Sequence, residues 1–161
     1  MVTQVYFDYD GVIQDTKVII KQMQQSFEIN NSWEFYSNID WSVVLNSAPY
    51  INDSINTILY LSKIVEISIL TCFCSYSEAE SKCRHINKIL PCIPIILCPY
   101  GVKKSSITFT KGRVLVDDNP CNVSDWIENN GYGLLFGMTS DIPYVLNMID
   151  LKIRILSKNY T

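Results

Sequence analysis

Five short apolar runs recur along the chain, separated by stretches with a more polar pattern. Each run is about the length of a β-strand and nearly continuous in hydrophobic residues, which is typical of parallel strands covered on both faces. The predicted strands are Gln4–Phe7, Val65–Leu70, Ile93–Cys98, Arg113–Val116 and Gly133–Phe136.

The stretches between these runs predict helices. Ser77–Leu90 opens with a serine, carries acids in its first turn and ends before Pro91, which is a helix signature at both ends. Asn52–Lys63 and Asp141–Met148 are also predicted to be helical. The resulting order, β-α-β-α-β, predicts an α/β fold with a mainly parallel sheet.

One segment, about residues 13–52 and here called the cap segment, does not follow this alternation. It contains helix-like patches but no clear strand, and it holds an aromatic cluster of Trp33, Phe35, Tyr36, Trp41 and Tyr50. Because it follows the first strand, we expect an insertion that closes as a lid over the carboxyl edge of the sheet.

Composition limits the class of protein. The 161 residues are 48% hydrophobic and 18% charged, with a formal net charge of -3, which predicts one domain over residues 1–161. The acidic balance argues against a nucleic-acid partner, and the apolar stretches are too short or too interrupted for a membrane. Charged Asp8 and Asp10 stand where a signal peptide would be apolar, so we expect a cytoplasmic protein. In that compartment the six cysteines are expected to be reduced thiols.

Polar residues suited to phosphate and metal chemistry follow four of the predicted strands. They are Asp8, Asp10, Thr71, Lys103, Lys104, Asp117 and Asp118. The carboxyl ends of neighbouring parallel strands converge on one crevice, so these side chains should meet there. Clustered carboxylates repel one another when partly buried, and a bound cation or a phosphorylation chemistry would offset that cost.

The order of these residues separates two families that handle phosphoryl groups. Response-regulator receivers carry their acceptor aspartate at the third strand and their lysine last, whereas here D-x-D comes first, followed by Thr, Lys and D-D. This order resembles the haloacid dehalogenase-like (HAD) superfamily. Its four motifs look like the segments "DYDGV", "ILT", "VKK" and "VLVDDNP" of this chain, in that order. The contexts "FDYDGVI", "PYGVKK" and "LVDDNPCNVSDWIENNGYGLLF" are most similar to the 5'(3')-deoxyribonucleotidase group in its short phage and bacterial form.

The resemblance implies a Rossmann-like three-layer sandwich and a role for each motif. Asp8 would be the nucleophile that forms an aspartyl-phosphate. Asp10 would protonate the leaving alkoxide and then deprotonate the attacking water. Thr71 would bind a phosphate oxygen, and a lysine would pair with the phosphate and Asp8. Lys104 is preferred over Lys103 because "KSS" resembles the start of the helix that carries this lysine.

The resemblance also implies a Mg²⁺ ion. Its ligands would be the Asp8 carboxylate, the Asp10 backbone carbonyl, an acid of the fourth motif and waters. Asp117 is preferred as the direct ligand with Asp118 behind it, and the reverse stays open. Gly11 would let the backbone come close to the phosphate.

Simpler interpretations stand beside these roles. Each motif taken alone also fits a solvated turn or a strand end, and it is their joint order that favours a site. Four aromatic residues of the cap segment, Trp33, Phe35, Tyr36 and Trp41, would either stack on a nucleobase or form the segment's own core.

Three functions follow. The first is a Mg²⁺-dependent phosphatase for nucleoside monophosphates, deoxyribonucleotides above all. The second applies the same chemistry to a sugar phosphate or a nucleic-acid 3'-phosphate end, and the third is a catalytically idle phosphate-binding or interaction module. The expected partner is a small phosphate monoester. The assembly state, a homodimer included, stays open.

Overall fold

The computed structural model describes residues 4–27 and 33–160, which build a parallel sheet flanked by helices. Its strands are β1 Gln4–Phe7, β2 Glu66–Phe73, β3 Ile95–Pro99, β4 Arg113–Asp117, β5 Tyr132–Phe136 and β6 Tyr144–Val145. They lie in the order β3-β2-β1-β4-β5-β6, and every neighbouring pair is parallel. The predicted α/β fold and all five predicted strands are confirmed.

Eight helices in the described residues connect and cover these strands. They are α1 Thr16–Phe27, α2 Trp33–Asn38, α3 Trp41–Ser47, α4 Ser54–Leu61, α5 Tyr76–Ile89, α6 Lys104–Ile107, α7 Pro120–Glu128 and α8 Met148–Ser157. The helices predicted within 52–63 and 77–90 are confirmed. In α5 the N-cap is Ser75, whose Oγ accepts a hydrogen bond from the Glu78 N–H at 3.2 Å.

The helix predicted over Asp141–Met148 is wrong. This stretch contains the two-residue strand β6, and α8 begins only at Met148. Pro143 disfavours helical backbone at the preceding residue and supplies no N–H to a helix. Asn147 instead caps α8, because its side chain accepts hydrogen bonds from the Ile149 and Asp150 N–H groups.

The sheet is buried on both faces. Successive side chains of a strand point to opposite faces: Val5 and Phe7 belong to one hydrophobic cluster, whereas Tyr6 belongs to another that includes Trp126. Burial on both sides explains why the strands appear in the sequence as nearly continuous apolar runs. The site residues can therefore reach solvent only where the strands end.

Helices α1, α2 and α3 lie in the cap segment and share a small core of their own. Ile20, Phe35, Trp41 and Val44 form this cluster. All six cysteines are free thiols. Within residues 4–27 and 33–160, no helix combines the length and apolar composition that a bilayer crossing requires.

Candidate active site

Asp8 lies immediately after β1, at the carboxyl edge of the sheet. Its backbone N–H donates to the Val116 carbonyl at 2.9 Å, which continues the ladder with β4. Its Oδ1 accepts the Tyr9 N–H at 2.8 Å and lies 2.9 Å from Lys104 Nζ. Burial raises the pKa of Asp8 to about 6 against the pull of Lys104, and the charge of Asp117 adds to the rise.

Lys104 is the first residue of α6 and is only 1% exposed. Its Nζ lies between Asp8 and the Oδ2 of Asp117, 2.7 Å from the latter. Burial alone would lower the pKa of Lys104, but the two carboxylates outweigh it and raise that pKa. Lys103 points elsewhere, because its exposed ammonium pairs with Asp125 Oδ1 at 2.5 Å. Of the two candidate lysines, Lys104 is therefore the one at Asp8.

Asp117, the last residue of β4, and Asp118, which follows it, lie in different environments. Asp117 is fully buried: its Oδ2 accepts from Lys104 and from Asn122 Nδ2 at 3.0 Å, and its Oδ1 accepts the Asn119 N–H at 2.8 Å. Asp118 lines a solvent-accessible cavity and pairs with the largely exposed Lys17. Both oxygens of Asp117 already hold protein donors, so this geometry favours Asp118 as the direct metal ligand and Asp117 as the residue that fixes Lys104.

Three carboxylates come close enough to share a metal ion. One oxygen from each of Asp8, Asp117 and Asp118 lies within 4.8 Å of the others. Burial raises the pKa of Asp118 against the pull of Lys17, with Asp8 adding to the rise. Carboxylate oxygens are the ligands that Mg²⁺ prefers, and a bound cation would stabilise the ionised forms of Asp8 and Asp118 that burial disfavours.

Gly11 makes room for Asp118. Its φ of +82° is a backbone conformation that favours glycine. A Cβ at this position would lie 2.0 Å from Asp118 Oδ2, which is far inside van der Waals contact. The close approach that requires glycine here is thus to a carboxylate; approach to a phosphate remains a prediction.

The second aspartate of the D-x-D motif, Asp10, has hydrogen bonds on both oxygens. Thr16 Oγ1 donates to Oδ1 at 2.7 Å, and Lys82 Nζ donates to Oδ2 at 2.6 Å. Thr71, which is fully buried near the carboxyl end of β2, also reaches Oδ2, at 3.4 Å. Burial by itself raises the pKa of Asp10, but Lys82, through its charge and its hydrogen bond, together with Thr16 holds it below the usual range.

Lys82 was not among the residues predicted from the sequence. It lies on α5 with Glu78 four residues earlier, and both are buried. The available signal was its place among Ala79 and Ile86, because these three positions are spaced as one face of a helix. A lysine at a core position of an amphipathic helix indicates a buried partner.

A cavity of about 640 Å³ opens beside these residues. Asp8, Asp10 and Asp118 line it, together with α7 and the loop after β3, which includes Tyr100. Tyr100 is 68% exposed. An exposed aromatic ring at the wall of a polar cavity is suited to contact with a planar ligand group.

Among the described side chains, the aromatic residues of the cap segment pack mainly against one another and not along the cavity. Phe35 and Trp41 are buried in the core of the cap segment, and Tyr36 packs against that core. For Phe35 and Trp41 the packing matches the second of the two alternatives that the sequence left open, a core of the cap segment itself. The side chain of Trp33 lies outside the described part of the structure.

No protein-family model matches the sequence, and no curated protein matches it significantly. Solved structures do resemble it. The L-2-haloacid dehalogenase of Xanthobacter autotrophicus with chloropropionic acid covalently bound has a TM-score of 0.68 at 10% identity, covering 97% of this chain and 99% of that one. The D,D-heptose 1,7-bisphosphate phosphatase of Burkholderia thailandensis has a TM-score of 0.61 at 10% identity, covering 96% and 99%.

A third similar structure contains a metal. The candidate HAD-hydrolase YfnB of Bacillus subtilis, bound to magnesium, has a TM-score of 0.62 at 11% identity, covering 92% of this chain and 96% of that one. Likeness at this level of identity concerns the fold. The chain thus has the α/β fold of the HAD-superfamily hydrolases.

Proposed function

We propose that the protein is a Mg²⁺-dependent phosphoric monoester hydrolase that acts on nucleoside monophosphates through an aspartyl-phosphate on Asp8. The observation that carries this proposal is the arrangement around Asp8. One buried lysine, Lys104, contacts it at 2.9 Å, and two further carboxylates lie within 4.8 Å. A nucleophile beside a fixed cation and a metal-binding cluster is suited to phosphoryl transfer.

The reaction would proceed in two displacements. An Asp8 oxygen attacks phosphorus, the bond from phosphorus to the ester oxygen breaks, and Asp10 gives its proton to the leaving alkoxide. Asp10 then takes a proton from a water whose oxygen attacks the same phosphorus. The bond to Asp8 breaks, inorganic phosphate leaves, and both aspartates regain their starting protonation.

The first displacement requires Asp10 in its acid form. In the free protein its pKa lies below the usual range, because Lys82 and Thr16 outweigh burial. The negative charge of a bound phosphate dianion disfavours a neighbouring carboxylate and so raises its proton affinity. Substrate binding would thus prepare the acid, while Lys104 and Thr71 position the phosphate oxygens.

The residues present fit a Mg²⁺ ion. The Asp8 and Asp118 carboxylates and the Asp10 backbone carbonyl would hold it, with Asp117 behind them fixing Lys104. Bound there, the ion would neutralise charge on the transferring phosphoryl group.

The cavity supports a nucleotide-sized substrate. Its volume of about 640 Å³ is within the roughly 300–1,000 Å³ of small-molecule sites. With phosphate at Asp8, the leaving group would extend toward Tyr100, whose exposed ring could stack on a base. Carbon–halogen hydrolysis fits less well, because a halide leaves without a proton and gives Asp10 no part as an acid.

Phosphate release from a panel of esters tests the proposal. The panel comprises deoxy- and ribonucleoside 5'- and 3'-monophosphates, sugar phosphates and 3'-phosphorylated oligonucleotides, each with Mg²⁺ or EDTA. Chloride release from 2-chloropropionate is measured in parallel. We expect Mg²⁺-dependent turnover concentrated on deoxynucleotides and abolished by Asp8→Asn. Turnover of sugar phosphates or oligonucleotide ends alone would show that nucleoside monophosphates are not the substrate, although the phosphatase chemistry would stand. Inactivity on the whole panel would favour a binding module.

Tyr100 provides a test of the base contact. Tyr100→Ala should raise KM for nucleotides roughly tenfold, as expected for the loss of base stacking, with kcat nearly unchanged. Tyr100→Phe retains the ring and should behave as wild type. An equal KM for all three proteins would place the base elsewhere.

A further inference from the structure

Lys82 is a buried cation whose ammonium is enclosed by protein groups. It is 1% exposed, and its Nζ contacts Asp10 Oδ2 at 2.6 Å, Glu78 Oε1 at 2.6 Å and the Cys72 carbonyl at 2.7 Å. An ammonium has three N–H donors, so these three contacts use all of them. Lys82 is therefore built into the protein and does not reach into the cavity to bind substrate.

The pairing with Glu78 already balances the charge of Lys82. Glu78 is itself fixed, because its Oε2 accepts the Cys74 N–H at 2.7 Å. A buried ion pair rarely stabilises a fold more than apolar residues of similar size. Fold stability alone therefore gives little reason to bury this pair, whereas the direct contact with Asp10 gives a functional one.

Two groups from different elements fix the Asp10 carboxylate. Lys82 on α5 holds Oδ2, and Thr16 at the start of α1 holds Oδ1. A contact on each oxygen restricts rotation of the carboxylate plane. Trp41 covers Lys82 from the cap segment, with the Nζ 5.3 Å from the ring centroid. The cap segment thus packs directly on the lysine that holds the proposed acid.

We infer that Lys82 is a positioning residue that orients Asp10 for proton transfer to the leaving group. This inference rests on the proposed function. It predicts a defect of a specific kind: loss of Lys82 should slow the reaction in proportion to how much the leaving group needs a proton. A nucleoside alkoxide needs protonation, whereas p-nitrophenolate leaves readily as an anion.

The test compares kcat/KM for a deoxynucleoside 5'-monophosphate with kcat/KM for p-nitrophenyl phosphate. This parameter reports the steps up to and including phosphoryl transfer to Asp8, in which the leaving group departs, and does not include the later hydrolysis of the aspartyl-phosphate. Lys82→Met should lower the nucleotide value about 100-fold and the p-nitrophenyl value less than about fivefold. Lys82→Arg should recover most of the nucleotide activity. If Lys82→Met does not fold, Lys82→Gln, which is neutral and shorter, serves in its place.

Arg84→Met is the matched control. Arg84 lies on the same helix and pairs with Glu80 at the same i,i+4 spacing, but its side chain is 73% exposed. Its substitution should leave both kcat/KM values unchanged. In an Asp10→Asn background, Lys82→Met should cause little further loss for the nucleotide, because the residue that it orients is already disabled.

The outcomes separate this inference from the proposed function. If Lys82→Met or its substitute lowers both kcat/KM values equally, or adds its full loss to that of Asp10→Asn, Lys82 does not orient the acid, although the phosphatase proposal stands. If wild type turns over neither ester, the phosphatase proposal fails, and this inference fails with it.

Discussion

The site contains two buried lysines, each placed between two carboxylates, and the two arrangements have opposite effects. Lys104 lies between Asp8 and Asp117, yet burial raises the pKa of Asp8 to about 6. Lys82 lies between Asp10 and Glu78, and the pKa of Asp10 falls below its usual range although burial opposes the change. Lys104 therefore leaves its aspartate partly uncompensated, whereas Lys82 compensates the burial of its aspartate, although not that of Glu78, whose pKa burial raises.

This difference is the reverse of what the proposed chemistry needs. A nucleophile should be ionised and a general acid protonated, but in the free protein Asp8 has the higher pKa and so holds a proton more tightly than Asp10. A cation held by Asp8 and Asp118 would ionise the nucleophile, because bound metal ions invert the local preference for protons. A phosphate near Asp10 would favour the acid form. Bound metal and bound substrate would thus together make Asp8 the ionised nucleophile and Asp10 the protonated acid. Four predictions test this interpretation.

The largest effect should come from the aspartates themselves. Asp8→Asn removes the nucleophile and should reduce phosphate release at least about 1,000-fold for every ester. Asp10→Asn removes the acid and should cost about 100- to 10,000-fold for a nucleotide, but less for p-nitrophenyl phosphate. Steady-state kinetics would show the contrast, with the exposed Asp141→Asn as the control. Equal losses for both esters in Asp10→Asn would remove its role as an acid.

The two lysines should differ in how they respond to metal. Lys104→Met and Lys82→Met each leave buried carboxylates unpaired and should lower the free energy of unfolding by about 3–5 kcal/mol. Mg²⁺ should restore part of the loss in Lys104→Met, because its proposed ligand Asp8 is one of the two carboxylates that lose their partner, and almost none in Lys82→Met. Urea denaturation with Mg²⁺ or EDTA measures both. Equal restoration of stability in the two variants would mean that Mg²⁺ does not bind specifically to the carboxylates around Lys104.

Asp117 and Asp118 should separate metal binding from stability. The pKa of Asp118 is raised in the folded protein by burial, so its ionised form opposes folding at neutral pH. Asp118→Asn should therefore not lower the metal-free melting temperature, and it should abolish most of the Mg²⁺-induced increase. Asp117→Asn should lower the metal-free melting temperature, because it weakens the contact with Lys104. The opposite pattern would restore Asp117 as the direct ligand.

The smallest effect concerns pH. Asp8 gains a proton as the pH falls through about 6 in the metal-free protein, and Mg²⁺ must displace that proton to bind. Its affinity should hence fall by up to about tenfold per pH unit below that value. Calorimetric titration at about pH 5 and about pH 7.5 measures the change. An affinity that is constant across this range would place the ion away from Asp8.

The sequence predicted the strands well because each is buried on both faces and so appears as an apolar run. It did not reveal β6, since a strand of two residues is too short to show any periodicity. The helix expected over Asp141–Met148 does not form because Pro143 disfavours helical backbone there. The strand-end residues Asp8, Thr71 and Asp117 could be grouped in advance because parallel strands bring their carboxyl ends to one edge. Tyr100 gave no such signal, since exposure of a loop residue depends on neighbours distant in the chain.

Helix α5 shows most directly where sequence information ends. Glu78–Lys82 and Glu80–Arg84 are both acid–base pairs at i,i+4 spacing, and sequence spacing alone makes them equivalent. The sequence determined the helix, the parallel sheet and the edge where the acids gather, because these follow from local hydrophobic patterns and chain order. Only the tertiary structure decided that the first pair is buried against Asp10 while the second faces solvent. The spacing of Lys82 with Ala79 and Ile86 indicates a core position. Its contact with Asp10, however, depends on how α5 packs against the sheet and the cap segment, which no local pattern encodes.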